Sequence, residues 1–128
     1  MARYKSVLLV EDDPITMLVC ERIIRMNDFA AEVKSCENGE LALQHLESLM
    51  LNGTQMPDIV FLDVNMPVMD GWGFLEGLVR LEAKGKLPRI FILSSTVDPE
   101  DYKKARSYEV VENFILKPLN RDSLERIP

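Results

Sequence analysis

The sequence has no long hydrophobic run, only two cysteines and a single histidine. Its first apolar run, Val7–Val10, is four residues long, and three acidic residues follow it directly. A membrane-spanning helix needs about 20 apolar residues, and the core of a secretory signal peptide needs about 7–15. We therefore expect neither a signal peptide nor a membrane partner, and we predict a cytoplasmic protein.

Cysteine and histidine are too sparse to indicate chemistry of their own. Cys20 and Cys36 belong to no C-x-x-C pair and to no Cys/His metal spacing, so we expect two reduced thiols rather than a disulfide. His45 lies within an amphipathic helical pattern. We interpret it as a surface or half-buried residue and not as a phosphoryl carrier.

Basic residues are also too few for a nucleic-acid-binding surface. The chain has 15 Lys and Arg against 21 Asp and Glu, which gives a net charge of −6. An acidic domain is a poor partner for nucleic acid or an anionic membrane. The length of 128 residues and a hydrophobic fraction of 47% are typical of one globular domain, which we place at residues 1–128.

Short apolar runs alternate with helical patterns along the whole chain. Runs that are apolar throughout favour strands buried on both faces, as in a parallel sheet, whereas the alternating run 31–36 predicts an edge strand. The predicted strands are Val7–Val10, Ala31–Cys36, Ile59–Leu62, Ile90–Leu93 and Phe114–Leu116. The predicted helices are Ile15–Met26, Asn38–Met50, Gly71–Lys84, Pro99–Tyr108 and Asn120–Ile127. Five strand–helix repeats predict an α/β, doubly wound, five-stranded parallel sheet.

Polar side chains follow most of these strands at the point where each one ends. Glu11, Asp12 and Asp13 follow the first strand, Asp63 follows the third, and Ser94, Ser95 and Thr96 follow the fourth. Lys117 follows the fifth strand. Because ligands of such sheets bind beyond the carboxyl ends of the strands, we expect these groups to share one crevice.

Four segments, in this order and at this spacing, resemble the receiver domain of two-component response regulators. They are VLLVEDDP, IVFLDVNMPVMDG, IFILSS and FILKP, and the resemblance extends over essentially the whole chain. It implies strand order 2-1-3-4-5 in a flavodoxin-like or CheY-like three-layer sandwich. It also implies a phosphoprotein of signal transduction, acting in a phosphorelay.

The resemblance implies a Mg²⁺ site in this crevice. It assigns Asp12 and Asp63 as direct ligands, Glu11 as a ligand acting through water, and the backbone carbonyl of Asn65 as a further ligand. The physical chemistry agrees, since two carboxylates about 4 Å apart repel by roughly 4 kcal/mol and Mg²⁺ prefers oxygen ligands. Asp13 is then left over, and we expect it to face the N-terminus of the first helix.

The implied reaction is phosphoryl transfer from a phosphohistidine to Asp63, followed by hydrolysis of the acyl phosphate. Lys117 and Ser94 would each contact a phosphoryl oxygen, and Ser95 and Thr96 compete with Ser94 for its role. The chain would catalyse only its own phosphorylation and dephosphorylation. In the family the peptide bond corresponding to Lys117–Pro118 is typically cis.

The implied switch consists of Ser94 and Phe114, which would alter the face formed by the fourth helix, fifth strand and fifth helix. Phe114 stands where many relatives have tyrosine, so its roles as switch and as plain core aromatic both stay open. The expected partners are a sensor histidine kinase or a histidine phosphotransfer protein, and a downstream protein target. A homodimer on activation is a further hypothesis.

Two other functions compete with this interpretation. An aspartyl-nucleophile phosphatase would need a general acid two residues after Asp63, where the chain has Asn65. A pseudo-receiver would bind partners without being phosphorylated, which the complete set of site residues argues against. The stretch SYEVVENFILKP lacks the glycine that often precedes the fifth strand in the family. We therefore expect the loop that leaves the fourth helix to differ from that of the family.

Overall fold

The computed structural model describes residues 2–64, 70–81, 85–95 and 98–128. Strands and helices alternate along these residues, which confirms the predicted α/β class. In chain order they are β1 Tyr4–Val10, α1 Pro14–Met26, β2 Ala30–Cys36, α2 Gly39–Leu51, β3 Ile59–Asp63, α3 Gly71–Leu81, β4 Arg89–Ser94, α4 Pro99–Arg106, β5 Val111–Leu116 and α5 Arg121–Glu125.

The five strands form one parallel sheet. Its spatial order is β2-β1-β3-β4-β5, which is the order that the resemblance implied. The runs Val7–Val10 and Ile59–Asp63 are buried at every residue, because both faces of the sheet are covered. In contrast, β2 has buried and exposed residues, as the prediction of an edge strand required.

Two hydrophobic clusters lie on the two faces of the sheet. One contains Leu8 and Val10 of β1 with side chains of α2, α3 and α4. The other contains Val7 and Leu9 with side chains of α1 and α5. Since successive strand residues point to opposite faces, each strand contributes to both clusters. The helices therefore form an outer layer on each side of the sheet, which confirms the predicted three-layer sandwich.

Each helix begins after an Asp or Asn residue that caps it. The side chain accepts a hydrogen bond from a backbone N–H two or three residues later, and such a cap contributes roughly 1 kcal/mol. The capping residues are Asp13, Asn38, Asp70, Asp98 and Asn120. These caps explain why the helix starts could be predicted closely.

The bounds differ from the prediction mainly at polar segments. β1 begins at Tyr4 and β5 at Val111, three residues before the apolar runs from which they were predicted. Backbone pairing extends both strands, because a ladder of hydrogen bonds does not require apolar side chains. α4 ends at Arg106 and α5 at Glu125, two residues earlier than predicted in each case. The predicted end of α3, residues 82–84, lies outside the described residues.

A bidentate ion pair links the edge strand β5 to its neighbour β4. Arg89 Nε lies 2.7 Å from Glu112 Oε1, and Arg89 Nη2 lies 2.8 Å from Glu112 Oε2. The hydrogen bond from Arg89 lowers the pKa of Glu112 below its usual value of 4.5. A lowered pKa in the folded state means that the charged carboxylate stabilises the fold.

Replacing Glu112 with glutamine should lower the free energy of unfolding by less than about 1 kcal/mol near neutral pH, since the pair is partly exposed. The contribution is present above the unfolded pKa and is lost as the pH falls through the lower, folded pKa. Urea unfolding should therefore show a smaller difference between wild type and E112Q at about pH 3 than at about pH 7. A difference of the same size at both pH values would contradict this assignment.

Candidate metal centre

Three carboxylates meet where the neighbouring strands β1 and β3 end. Val10 pairs with Leu62 in the sheet, so Glu11 and Asp12, which follow Val10, lie beside Asp63. One oxygen from each of these three side chains lies within 4.8 Å of the other two. The expected grouping of the acidic residues in one crevice is therefore present in the structure.

Burial makes this acidic cluster unfavourable by itself. Glu11 is 1% exposed and Asp63 is 5% exposed, whereas Asp12 is not buried. Two carboxylate charges 4.8 Å apart repel by roughly 3–4 kcal/mol at an effective dielectric near 20. Water, which would otherwise screen the charges, has little access to the two buried groups. The cluster therefore favours a cation between its oxygens.

Lys117 supplies one positive charge to the cluster. Its Nζ lies 2.9 Å from Glu11 Oε2 and 3.6 Å from Asp63 Oδ2. The backbone N–H of Lys117 donates to the carbonyl of Ser94 at 2.8 Å, which fixes the lysine at the end of β5. The Lys117–Pro118 peptide bond is cis, as the resemblance implied.

The pKa values of Glu11 and Lys117 reflect this surrounding. Burial raises the pKa of Glu11, and the charge of Asp63 raises it further, against the hydrogen bond from Lys117. Burial alone would lower the pKa of Lys117, but the hydrogen bond to Glu11 and the charge of Asp63 outweigh it, so the net shift is upward. The ammonium form of Lys117 is thus stabilised by the anionic cluster.

The hydroxyl residues at the end of β4 differ in burial. Ser94 is the last residue of β4 and is 4% exposed, whereas Ser95 is exposed. Ser94 is opposite Leu116 of β5, which immediately precedes Lys117. This places Ser94 at the same edge of the sheet as the acidic cluster. Thr96 lies outside the described residues.

The third acid of the run, Asp13, lies apart from the other two, as the resemblance implied. Asp13 caps α1, and its Oδ2 accepts hydrogen bonds from the backbone N–H of Thr16 at 3.2 Å and from the Thr16 hydroxyl at 2.5 Å. The hydrogen bond from the Thr16 side chain lowers the pKa of Asp13. The acidic pair in the crevice is therefore Glu11 and Asp12.

Phe114 lies on β5 opposite Ile92, facing helix α4. Its ring centroid is 5.5 Å from that of Tyr102 on α4, and its side chain packs against the core on that side of the sheet. This position is compatible with a core aromatic and with a switch. Asn65, the expected source of a carbonyl ligand, lies outside the described residues.

Two side-chain contacts were not predicted from the sequence. One is the ion pair between Lys117 and Glu11, which are 106 residues apart. The other is a stacked pair formed by the rings of Trp72 and Tyr108. A lysine and an acid that follow different strands indicate a shared crevice, but they do not indicate which atoms will meet.

Comparison with known proteins identifies the family. The family model of the response regulator receiver domain matches residues 7–127. This match spans nearly the whole chain, so the chain belongs to the receiver domain family of two-component response regulators. The chain is therefore a signalling domain.

Individual relatives agree with this assignment. The chain is 29% identical over 120 residues to the probable methanogenesis regulatory protein FilR2 of Methanothrix harundinacea, with 94% of the chain and 76% of that protein covered. It is 27% identical to the probable C4-dicarboxylate response regulator DctR of Priestia megaterium, with 94% and 49% covered. A crystal structure of a two-component response regulator from Cytophaga hutchinsonii superposes with a TM-score of 0.83 at 32% identity, covering 95% of this chain and 92% of that one.

The chain spans half or less of the length of several curated relatives that it matches. Activities of those whole proteins therefore do not transfer directly to this chain. In the part of the chain that the structure describes, no helix combines the length and apolar character needed to cross a membrane.

Proposed function

We propose that Asp63 accepts a phosphoryl group from a phosphohistidine of a sensor histidine kinase or of a histidine phosphotransfer protein. The observation that carries this proposal is the environment of Asp63. It is a buried carboxylate at a strand end, with Glu11 and Asp12 beside it and Lys117 Nζ at 3.6 Å. A carboxylate in such a place is a nucleophile with positive charge available to it.

The donor set fits Mg²⁺. It consists of carboxylate oxygens from Glu11, Asp12 and Asp63, which Mg²⁺ prefers to nitrogen or sulfur, and Mg²⁺ characteristically combines a few carboxylates with water and phosphate oxygens. We propose that Asp12 and Asp63 hold the ion directly, that Glu11 does so through water, and that the carbonyl of Asn65 completes the set. When bound, Mg²⁺ would neutralise charge on the carboxylates and on the phosphoryl oxygens.

The residues of the chain then have separate tasks. An oxygen of Asp63 attacks phosphorus, the phosphorus–nitrogen bond of the donor breaks, and the departing imidazole nitrogen takes up a proton. Lys117 exchanges its contact with Glu11 for one with a phosphoryl oxygen, and Ser94 donates its hydroxyl to another. Positioning and charge neutralisation supply most of the catalysis in phosphoryl transfer. Water later cleaves the acyl phosphate and regenerates Asp63, so the domain catalyses only its own modification and its removal.

We propose that the output is a change in the face formed by α4, β5 and α5. Ser94 would move toward the phosphoryl group, and Phe114 would turn into the vacated space, which alters its contact with Tyr102. Phe114 lacks a hydroxyl, so its inward position would gain packing without a hydrogen bond. The altered face would bind a downstream protein, or a second copy of the chain on activation.

Incubation with acetyl phosphate and Mg²⁺ should add one phosphoryl group to each chain. The same incubation with excess EDTA should leave the chain unmodified, because the clustered carboxylates then repel the anionic donor. Intact-mass spectrometry of the two samples measures the outcome directly. An unmodified chain in the presence of Mg²⁺ would favour the pseudo-receiver, and steady turnover of generic phosphate esters would favour the phosphatase.

A further inference from the structure

Few side chains hold helix α4 against the rest of the domain. Of its eight residues, Pro99–Arg106, only Ala105 is buried. Tyr102 contributes an aromatic contact with Phe114 of β5. Contacts at the C-terminal end of α4 are therefore important for its position.

Four residues join this end of α4 to helix α3. The rings of Trp72 and Tyr108 stack with centroids 6.3 Å apart and an angle of 19° between their planes. The Tyr108 hydroxyl donates to Glu76 Oε1 at 2.6 Å, and Lys104 Nζ lies 4.8 Å from the centroid of the Trp72 ring. We call Trp72, Glu76, Lys104 and Tyr108 the α3–α4 clasp.

Each contact of the clasp is of a stabilising kind. A hydroxyl that donates to a carboxylate forms a charge-assisted hydrogen bond, and an ammonium over an indole ring is attracted by its face. The hydrogen bond to Glu76 raises the pKa of Tyr108 to about 12, so the hydroxyl remains a donor at neutral pH. Together these contacts connect α4 to α3.

The α3 side of the clasp is attached to the residue that follows Asp63. The backbone N–H of Gly71, the residue before Trp72, donates to the carbonyl of Val64 at 3.1 Å. The two backbones are so close that a Cβ on Gly71 would lie 2.5 Å from Val64 Cα. The start of α3 and the strand end at Asp63 are therefore in direct backbone contact.

We propose that the α3–α4 clasp holds α4 in its unphosphorylated arrangement and that phosphorylation of Asp63 favours an arrangement with the clasp open. This inference rests on the proposed function and adds a restraint to it. Two states that differ in the clasp and in affinity for a phosphoryl group are linked reciprocally. Weakening the clasp must then strengthen binding of a phosphoryl mimic.

The variant Tyr108→Phe tests the clasp, because it removes the hydroxyl that Glu76 accepts and keeps the ring that stacks on Trp72. Tyr102→Phe is the control, since it removes the same group from a tyrosine of α4 outside the clasp, one whose hydroxyl accepts a hydrogen bond from Arg106 of the same helix at 3.4 Å. In the unphosphorylated protein, Y108F should raise amide hydrogen exchange in residues 99–106 by about 3- to 10-fold, and Y102F should not. Y108F should also bind beryllofluoride with Mg²⁺ about threefold more tightly than wild type.

The outcomes separate the clasp from the proposed function. If amide hydrogen exchange in residues 99–106 of Y108F is as slow as in wild type, the clasp does not restrain α4. Faster exchange with unchanged beryllofluoride affinity would overturn the link between the clasp and Asp63. A wild-type protein that binds no beryllofluoride would refute the proposed function and the link together, while hydrogen exchange would still decide whether the clasp restrains α4.

Discussion

Replacing Asp63 with asparagine is expected to abolish phosphorylation of the chain by acetyl phosphate and Mg²⁺. An amide oxygen is a much weaker nucleophile than a carboxylate and cannot form a stable phosphorylated product there. Of the three clustered acids, Asp63 is the buried one that ends a strand and lies 3.6 Å from Lys117 Nζ.

Asp70→Asn provides the matched control for this variant. Asp70 is exposed, and its Oδ1 caps α3 by accepting a hydrogen bond from the backbone N–H of Gly73 at 2.9 Å. Asparagine caps helices about as well as aspartate does, so D70N should fold normally and be phosphorylated like wild type. Phosphorylation of D63N at the wild-type level would show that another residue accepts the group.

The D63N variant also tests where Mg²⁺ binds. If Mg²⁺ binds only the folded chain, an excess of about ten times Kd raises the free energy of unfolding by roughly 1.4 kcal/mol. This gain should be smaller in D63N, because one of the three carboxylates at the site has lost its charge. Urea unfolding with and without Mg²⁺ measures the gain in both proteins. An undiminished gain in D63N would place the ion elsewhere.

The sequence was most informative where one backbone rule determines the geometry. Parallel strands end at the same edge of the sheet, so residues that follow buried apolar runs can be grouped from the sequence alone. Glu11, Asp12 and Asp63 were placed together on this basis, whereas the resemblance to the receiver family assigned Glu11 and Asp12, and not Asp13, to the metal site. Neither inference needed knowledge of side-chain conformations.

The rule that parallel strands end at one edge of the sheet does not predict contacts that depend on the conformation of a long side chain. Lys117 was expected in the crevice, but its hydrogen bond to Glu11 depends on how the lysine extends from the edge of the sheet toward its centre. The stacking of Trp72 on Tyr108 depends on the packing of α3 beside α4, which hydrophobic periodicity does not specify. Glu112 and Asn113 of β5 interrupt the apolar pattern, so the strand was predicted to begin only at Phe114.

Gly71 presents the clearest case of a backbone contact that a single methyl group should break. A Cβ at this position would lie 2.5 Å from Val64 Cα and 3.0 Å from the carbonyl oxygen of Asp63. Backbone atoms cannot move aside as the end of a flexible side chain can. Gly71→Ala should therefore lower the free energy of unfolding by about 3 kcal/mol, although alanine is the better helix former by about 1 kcal/mol.

Gly77 is the matched control, because it lies in the same helix but faces a side chain. A Cβ there would meet the methyl groups of Leu43 on α2, which can change rotamer. Part of the repacking cost would be offset by the better helix propensity of alanine, so Gly77→Ala should change the free energy of unfolding by no more than about 1 kcal/mol. Urea unfolding of both variants measures the contrast. Equal losses would mean that the backbone of α3 can move away from Val64, and the close attachment of this helix to the strand end at Asp63 would then have to be abandoned.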